Sequence, residues 1–280
     1  MTTKQIDTLV SDIYKLFDPN ETHVPCEENL DEFADSLKSI LRKRLSEREE
    51  RTGALRFSAL GRPDRQAWYA AKGYEQEEFT SKTYFKFLYG DIIELMLLFL
   101  AKEAGHTVEA LQAEVEVDGV KGHIDAIIDG VVVDVKSASP FGFKKFENNS
   151  VVADDPFGYT QQLAGYSDVL TPGSSAAWLA LNKVDGDMCL ATLSSSIIAD
   201  HKPAPRIAHL KEVIASDEPP ERCYPDVEDG KSGNMKLGTG CSYCAFKKHC
   251  WPGLRGFAYS GGPRYLTKVS KVPDVPEFEV

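Results

Sequence analysis

Asp125, Asp134 and Lys136 carry the residue types and the spacing in this chain that best suit chemistry. Between them, Asp129-Gly130 separates two apolar, β-branched runs, a strong signal for a two-residue hairpin turn. With those two residues as the loop, Ile128 pairs with Val131, Ala126 with Val133 and Asp125 with Asp134. Two carboxylates then stand opposite each other, their Cβ atoms roughly 4.5–5.5 Å apart. Lys136 shares their face, because side chains alternate along a strand. At about 4 Å, like charges repel by about 4 kcal/mol at an effective dielectric of 20. A divalent cation between them would turn that cost into a binding site. The plainer alternative is a polar strand face with two solvated aspartates.

The surrounding elements must position these groups. Helical periodicity runs through residues 3–17 and 29–48, with Pro19 and Pro25 between them. A short segment follows in which Ser58 suits a helix cap and Arg62 and Arg65 share a face. Residues 83–104 read as a long helix closed by Gly105, with Glu94 set inside an apolar run. A carboxylate in such a run needs a partner or a metal, unless it turns out to solvent. Strands are expected at 111–117, 120–128 and 131–137, joined by Asp118-Gly119 and Asp129-Gly130 into one antiparallel meander. Residues 157–170 return to helix and place Gln162 and Tyr166 on one face. Further strands are expected at 176–183 and 188–194, a helix at 201–215, and a linker at 217–240.

This ordered set resembles the PD-(D/E)XK nuclease superfamily. Its parts are Gly90-x3-Glu94 on a helix, Gly122-x-Ile124-Asp125 and Asp134-Val135-Lys136 on strands, and Gln162-x3-Tyr166 on a following helix. Within the superfamily the chain looks most similar to RecB-like CRISPR-associated and phage exonucleases with a C-terminal three-cysteine motif. The likeness covers about residues 55–252. It implies a mixed α/β (α+β) restriction-endonuclease-like core and a Mg²⁺- or Mn²⁺-dependent DNA exonuclease acting on single strands or duplex ends. In that reading Glu94, Asp125, Asp134 and the Val135 carbonyl hold the metal. Lys136 orients the attacking water, and Gln162 and Tyr166 position Lys136 or the DNA. Glu94 stands where many RecB-like members have His, and Asp134 replaces the commoner Glu. Same-fold alternatives are a structure-specific endonuclease or a catalytically silent nucleic-acid-binding subunit. Recombination, repair or replication proteins are implied as further partners.

Cys241-x2-Cys244-x5-Cys250, followed by Trp251, resembles the C-terminal part of an iron–sulfur motif in those exonucleases. The fourth cysteine of that motif comes from upstream, where this chain has Gly61-Arg62-Pro63-Asp64-Arg65 instead. The three thiols could hold a [4Fe–4S] cluster if Cys26 or Cys223 joins them or Asp64 serves as a ligand. They could hold Zn²⁺ with His249 or Cys223, or be a metal-free remnant.

Net charge is −11, which argues against general polyanion binding. Yet residues 231–271 carry eight basic residues and no acid, and residues 38–65 carry nine basic against four acidic. Arg62, Arg65, Lys247, Lys248 and Trp251 are therefore the expected nucleic-acid contacts. Tyr243, Phe246, Trp251, Phe257, Tyr259 and Tyr265 lie among the C-terminal cations, which suits either base stacking or a small satellite core. No stretch resembles a signal peptide and the longest apolar run, residues 95–101, is far short of a membrane span. A soluble cytoplasmic protein is expected. The expected division is a helical extension at 1–54, a nuclease core at 55–216, and a linker, cysteine module and basic aromatic tail at 217–280.

Overall fold

The structure is a computed structural model that describes residues 4–47 and 53–280. Arg48, at the end of the expected second helix, and Arg51 of the basic stretch lie outside the described residues.

The first half of the chain forms α1 (Leu9–Lys15), α2 (Glu27–Ser46), α3 (Asp64–Ala71) and α4 (Ser81–Glu103). Strands β1 (Val108–Glu109), β2 (Glu114–Val117), β3 (Val120–His123), β4 (Ala126–Ile128) and β5 (Val131–Ala138) follow. Then come α5 (Pro140–Glu147), α6 (Tyr159–Leu170), β6 (Ala176–Asn182), β7 (Met188–Leu193), α7 (Ser195–Asp200) and α8 (Pro203–Ala215). The chain ends with β8 (Asp226–Glu228), β9 (Met235–Leu237), α9 (Thr239–Ser242), α10 (Lys247–Cys250), β10 (Arg255–Tyr259), β11 (Gly262–Lys268) and β12 (Glu277–Phe278).

The chain divides into two compact units, but not at the expected boundaries of 54/55 and 216/217. Among the described residues, one unit holds 4–47, 56–61 and 79–207; the other holds 53–55, 62–78 and 208–280. The N-terminal helices belong to the first unit because they bury apolar faces on it. Leu9 and Ile13 of α1 are fully buried against Ile93, Leu97 and Ala101 of α4, and Phe33 of α2 meets Phe99 of α4 at 5.0 Å.

The first unit is built on a mixed sheet of order β1-β4-β5-β6-β7. β4 and β5 are antiparallel, β5 and β6 parallel, β6 and β7 antiparallel. This is the mixed α/β architecture expected. β6 (Ala-Ala-Trp-Leu-Ala-Leu-Asn) is buried at every position, as an unbroken apolar run predicts for a strand covered on both faces. Val133, Val135, Ala177 and Leu179 point into the core shared with α4 and α1. By alternation Asp134 and Lys136 project from the other face, where Trp178 packs on Phe146 of α5.

Two expectations about these elements need correction. Residues 120–128 are not one strand. β3 pairs only with β2 in a separate two-stranded ribbon, while β4 joins the main sheet. The break lies at Ile124-Asp125, where Ile124 N–H bonds the Ala113 carbonyl and the Asp125 carbonyl accepts Gln112 N–H. Residues 217–240 are not merely a linker, since β8 and β9 lie within them. With the expected tail they form an antiparallel sheet of order β12-β10-β11-β9-β8. The glycines that suggested a linker include Gly230 and Gly233, at positive φ in the turn between β8 and β9, whereas Pro219, Pro220 and Pro225 precede β8. Short elements such as β1 and α7 carry too few residues for periodicity to reveal them. No helix among the described residues is long and apolar enough to cross a membrane.

Candidate active site

The hairpin forms in the expected register: Ala126 faces Val133, Ile127 faces Val132 and Ile128 faces Val131. Asp129 and Gly130 take φ of 49° and 82°, the left-handed pair that a type I′ turn requires. The ladder stops one pair short of Asp125. The Asp125 carboxylate instead accepts the Val135 N–H at 2.7 Å, replacing the missing rung with a side chain. Asp125 is thereby pinned beside Asp134, which is 4% exposed.

Lys136 Nζ lies 2.5 Å from Asp134 Oδ2. Its other side faces the ring of Tyr159, 4.8 Å from the centroid. Asp155 holds Tyr159 at the start of α6, its carboxylate accepting N–H bonds from Gly158, Tyr159 and Thr160. Glu94 enters from α4, and its Oε1 accepts the Gln112 side-chain amide at 2.8 Å. Gln112 itself sits at φ 53°, a left-handed conformation uncommon for a non-glycine residue. The Gln162 side chain lies near enough to the Tyr166 hydroxyl to oppose the rise in its pKa that burial causes. Tyr166 is buried and stacks on Phe57 at 5.1 Å. The six expected catalytic residues therefore all lie in the first unit. Tyr159 and Gln112 were not anticipated. Tyr159 shares a helix face with Gln162 and Tyr166, a signal the sequence does carry; the backbone turn of Gln112 leaves no such mark.

Gly122 makes this packing possible. A Cβ there would come within 2.4 Å of the Phe57 Cβ and 2.7 Å of the Tyr166 hydroxyl. Gly122→Ala is expected to cost about 1–3 kcal/mol through overpacking. A lower thermal midpoint with an altered Tyr166 environment in near-ultraviolet dichroism would show it.

The electrostatics are those of too much negative charge in one place. Burial, then the charges of Asp125, Asp134 and Asp91, push Glu94 up to about 8. Burial and Asp134 push Asp125 up to about 7, against the pull of Lys136 and the Val135 N–H. Burial alone would lower the Lys136 pKa, but Asp134 and Asp125 outweigh it and hold Lys136 charged above the ordinary lysine value. Burial pushes Tyr166 up to about 12.

As the side chains stand, no three Asp, Glu, His or Cys groups among the described residues are arranged to hold a metal ion. Lys136 engages Asp134, Gln112 engages Glu94 and the backbone engages Asp125. The donor set nevertheless suits a hard divalent cation. It offers three clustered carboxylates that repel one another, and the buried Asp134 Oδ2 receives no hydrogen bond of good geometry.

The expected nucleic-acid contacts fare differently. Lys247 is buried and ion-paired with Glu77, with its ammonium over the Tyr265 ring. Arg65 is turned inward to the Pro220 carbonyl and the Tyr69 hydroxyl. The face of Trp251 is covered by Arg222 at 4.0 Å. Phe246 and Phe257 are buried too. Phe246 joins Trp68 and Tyr69 in a small core; of the expected contacts only Arg62 and Lys248 are exposed, and Tyr243 of the same C-terminal segment is 74% exposed.

In the second unit, Cys244 and Cys250 pack against Trp68, Tyr69 and Phe246. Burial raises the Cys241 thiol to about 11, with smaller contributions from Cys223, Cys244 and Cys250. The Cys244 thiol is raised by burial and by Cys223 and Cys250, against the Phe246 N–H. Cys223 therefore lies within electrostatic reach of the other three. Burial raises its pKa as well, opposed by the backbone N–H groups of Arg65 and Gln66. Two of the other suggested fourth ligands are engaged elsewhere, Asp64 with His209 at 2.6 Å and His249 with the Glu75 carbonyl at 3.0 Å.

No protein-family model and no curated protein sequence matches the chain. Two solved structures show distant likeness. The crystal structure of SSO0001 is 19% identical at a TM-score of 0.39, covering 78% of this chain and 95% of that one. An alkaline exonuclease from Laribacter hongkongensis is 14% identical at a TM-score of 0.38, covering 59% and 91%. Likeness at this level assigns neither an activity nor a branch of a family.

Proposed function

We propose that this protein is a Mg²⁺- or Mn²⁺-dependent deoxyribonuclease that hydrolyses phosphodiester bonds exonucleolytically, on single strands or at DNA ends. The observation that supports it is the cluster of Glu94, Asp125, Asp134 and Lys136 where β4 stops short beside β5. Glu94, Asp125, Asp134 and the Val135 carbonyl would hold the cation. When bound, the cation makes water a stronger nucleophile at neutral pH and offsets charge on the scissile phosphate. Lys136, kept protonated by its acidic neighbours, supplies a positive charge to the phosphate oxygens and orients the attacking water. Tyr159 fixes the lysine from its other side, and Gln162 with Tyr166 braces that wall of the site.

Digestion of 5′- and 3′-labelled oligonucleotides with Mn²⁺ tests this reading. Nucleotides released from one end, with circular single strands spared, support it. Intact linear DNA would overturn it, and cleaved circles would favour an endonuclease.

The cysteine site is a proposal of its own, with Cys223 as the fourth thiolate for an iron–sulfur cluster or Zn²⁺ beside Cys241, Cys244 and Cys250. The N–H groups aimed at sulfur suit thiolate ligation. Elemental analysis and absorption spectra of anaerobically purified protein should show metal that Cys223→Ala loses and Cys26→Ala keeps. Equal metal in both variants would remove Cys223 from the ligand set.

A further inference from the structure

The first half of α4 carries a feature that the catalytic cluster does not use. Residues 79–90 contain five aromatic residues, two lysines and no acid, in a protein of net charge −11. Much of this surface is open: Phe85 is 68% exposed and Tyr89 40%, and Lys82 and Lys86 are both exposed. Phe79, Tyr84 and Phe87 hold one another edge-on at 5.0–6.2 Å, a rigid base for the neighbouring rings.

Helix geometry sets these groups in rows. Residues 82, 86, 90 and 94 form one i,i+4 row that winds about 120° around the helix, so two lysines lead over Gly90 to Glu94, about 18 Å along the axis. Phe85 and Tyr89 flank that row as a second i,i+4 pair. Gly90 is costly inside a helix, and packing does not demand it: a Cβ there would touch only Ser137 Oγ, at 3.8 Å. Its lack of a side chain leaves the lane between Lys86 and Glu94 open.

We propose that Lys82, Lys86, Phe85 and Tyr89 form a track on α4 that guides one unpaired nucleic-acid strand to the carboxylate cluster. This rests on the nuclease reading above and narrows its substrate to single strands. The lysines meet phosphates and the rings stack on bases, an arrangement that tolerates any sequence. An apolar protein partner would leave both lysines without a role, and a duplex would keep its bases stacked away from the rings.

The test uses the full chain, a fluorescein-labelled oligothymidylate bound in EDTA, and the p-nitrophenyl ester of thymidine 5′-monophosphate as a substrate too small to reach the track. Phe85→Ala/Tyr89→Ala should weaken oligothymidylate binding about fivefold or more. Lys82→Ala/Lys86→Ala should weaken it too and reduce the salt slope by about 0.7 for each lysine removed. Both variants change exposed side chains, so melting temperatures should match wild type, and ester hydrolysis in Mn²⁺ should be unchanged. Wild-type affinity for oligothymidylate in both variants would overturn the track, as would equal losses on a blunt hairpin duplex. If the wild type hydrolyses neither the ester nor labelled oligothymidylate in Mn²⁺ yet the variants still lose single-strand binding, the track stands and the nuclease reading falls.

Discussion

Asp134→Asn is expected to lower Mn²⁺-dependent cleavage of labelled oligonucleotides by about 10³-fold, because a catalytic metal contributes several kcal/mol at the transition state and each 1.36 kcal/mol is tenfold in rate. The substitution keeps the shape of a nearly buried side chain and removes one of three crowded carboxylates. It also takes the nearest counter-charge from Lys136, which Asp125 still faces. The melting temperature in EDTA should therefore not fall, since relief of repulsion offsets the lost ion pair. Loss of cleavage with an unchanged melt separates a chemical role from a structural one. Cleavage within tenfold of wild type would refute the assignment of Asp134 as a metal ligand.

Without metal, stability should decline as pH rises from 6 to 9, and Mn²⁺ should reverse that trend. Glu94 and Asp125 have folded-state values near 8 and 7 against ordinary values of 4.5 and 3.8. The folded state thus binds more protons than the unfolded one up to about pH 8, above which the two converge. Their contribution is fully present below the ordinary values and is lost as pH rises through about 7–8. A cation takes the place of those protons, so its binding releases them and strengthens with pH. Thermal melts in EDTA and in Mn²⁺ across this range provide the measurement. The gain from Mn²⁺ should be larger at pH 9 than at pH 6, and Asp134→Asn should flatten the EDTA profile. An EDTA midpoint that rises over the same interval would contradict the clustering of these acids.

The elements nearest the site were legible because local chemistry dictates them. Asp129-Gly130 can hardly be anything but a tight turn, and its register brings Asp125 toward Asp134 before any tertiary contact is considered. The length of α4, its stop at Gly105 and the awkward position of Glu94 were legible for the same reason. The C-terminal segment was less legible because interleaved aromatic and basic residues look alike whether they face solvent or one another. Lys247 turns onto Glu77 and Arg222 covers Trp251, while Tyr243 of that segment and Phe85 and Tyr89, overlooked in a helical run, lie open.

By itself the sequence determined the hairpin, its register, the order of the acidic and lysine positions and the clustering of three cysteines. Those follow from interactions between residues close along the chain. Tertiary structure alone decided that the ladder stops before Asp125, that Tyr159 and Gln112 brace Lys136 and Glu94, and that Cys223 comes within electrostatic reach of the other thiols. Each of these depends on which distant segment fills the space beside a strand end or a helix start, and packing of the whole chain settles that choice.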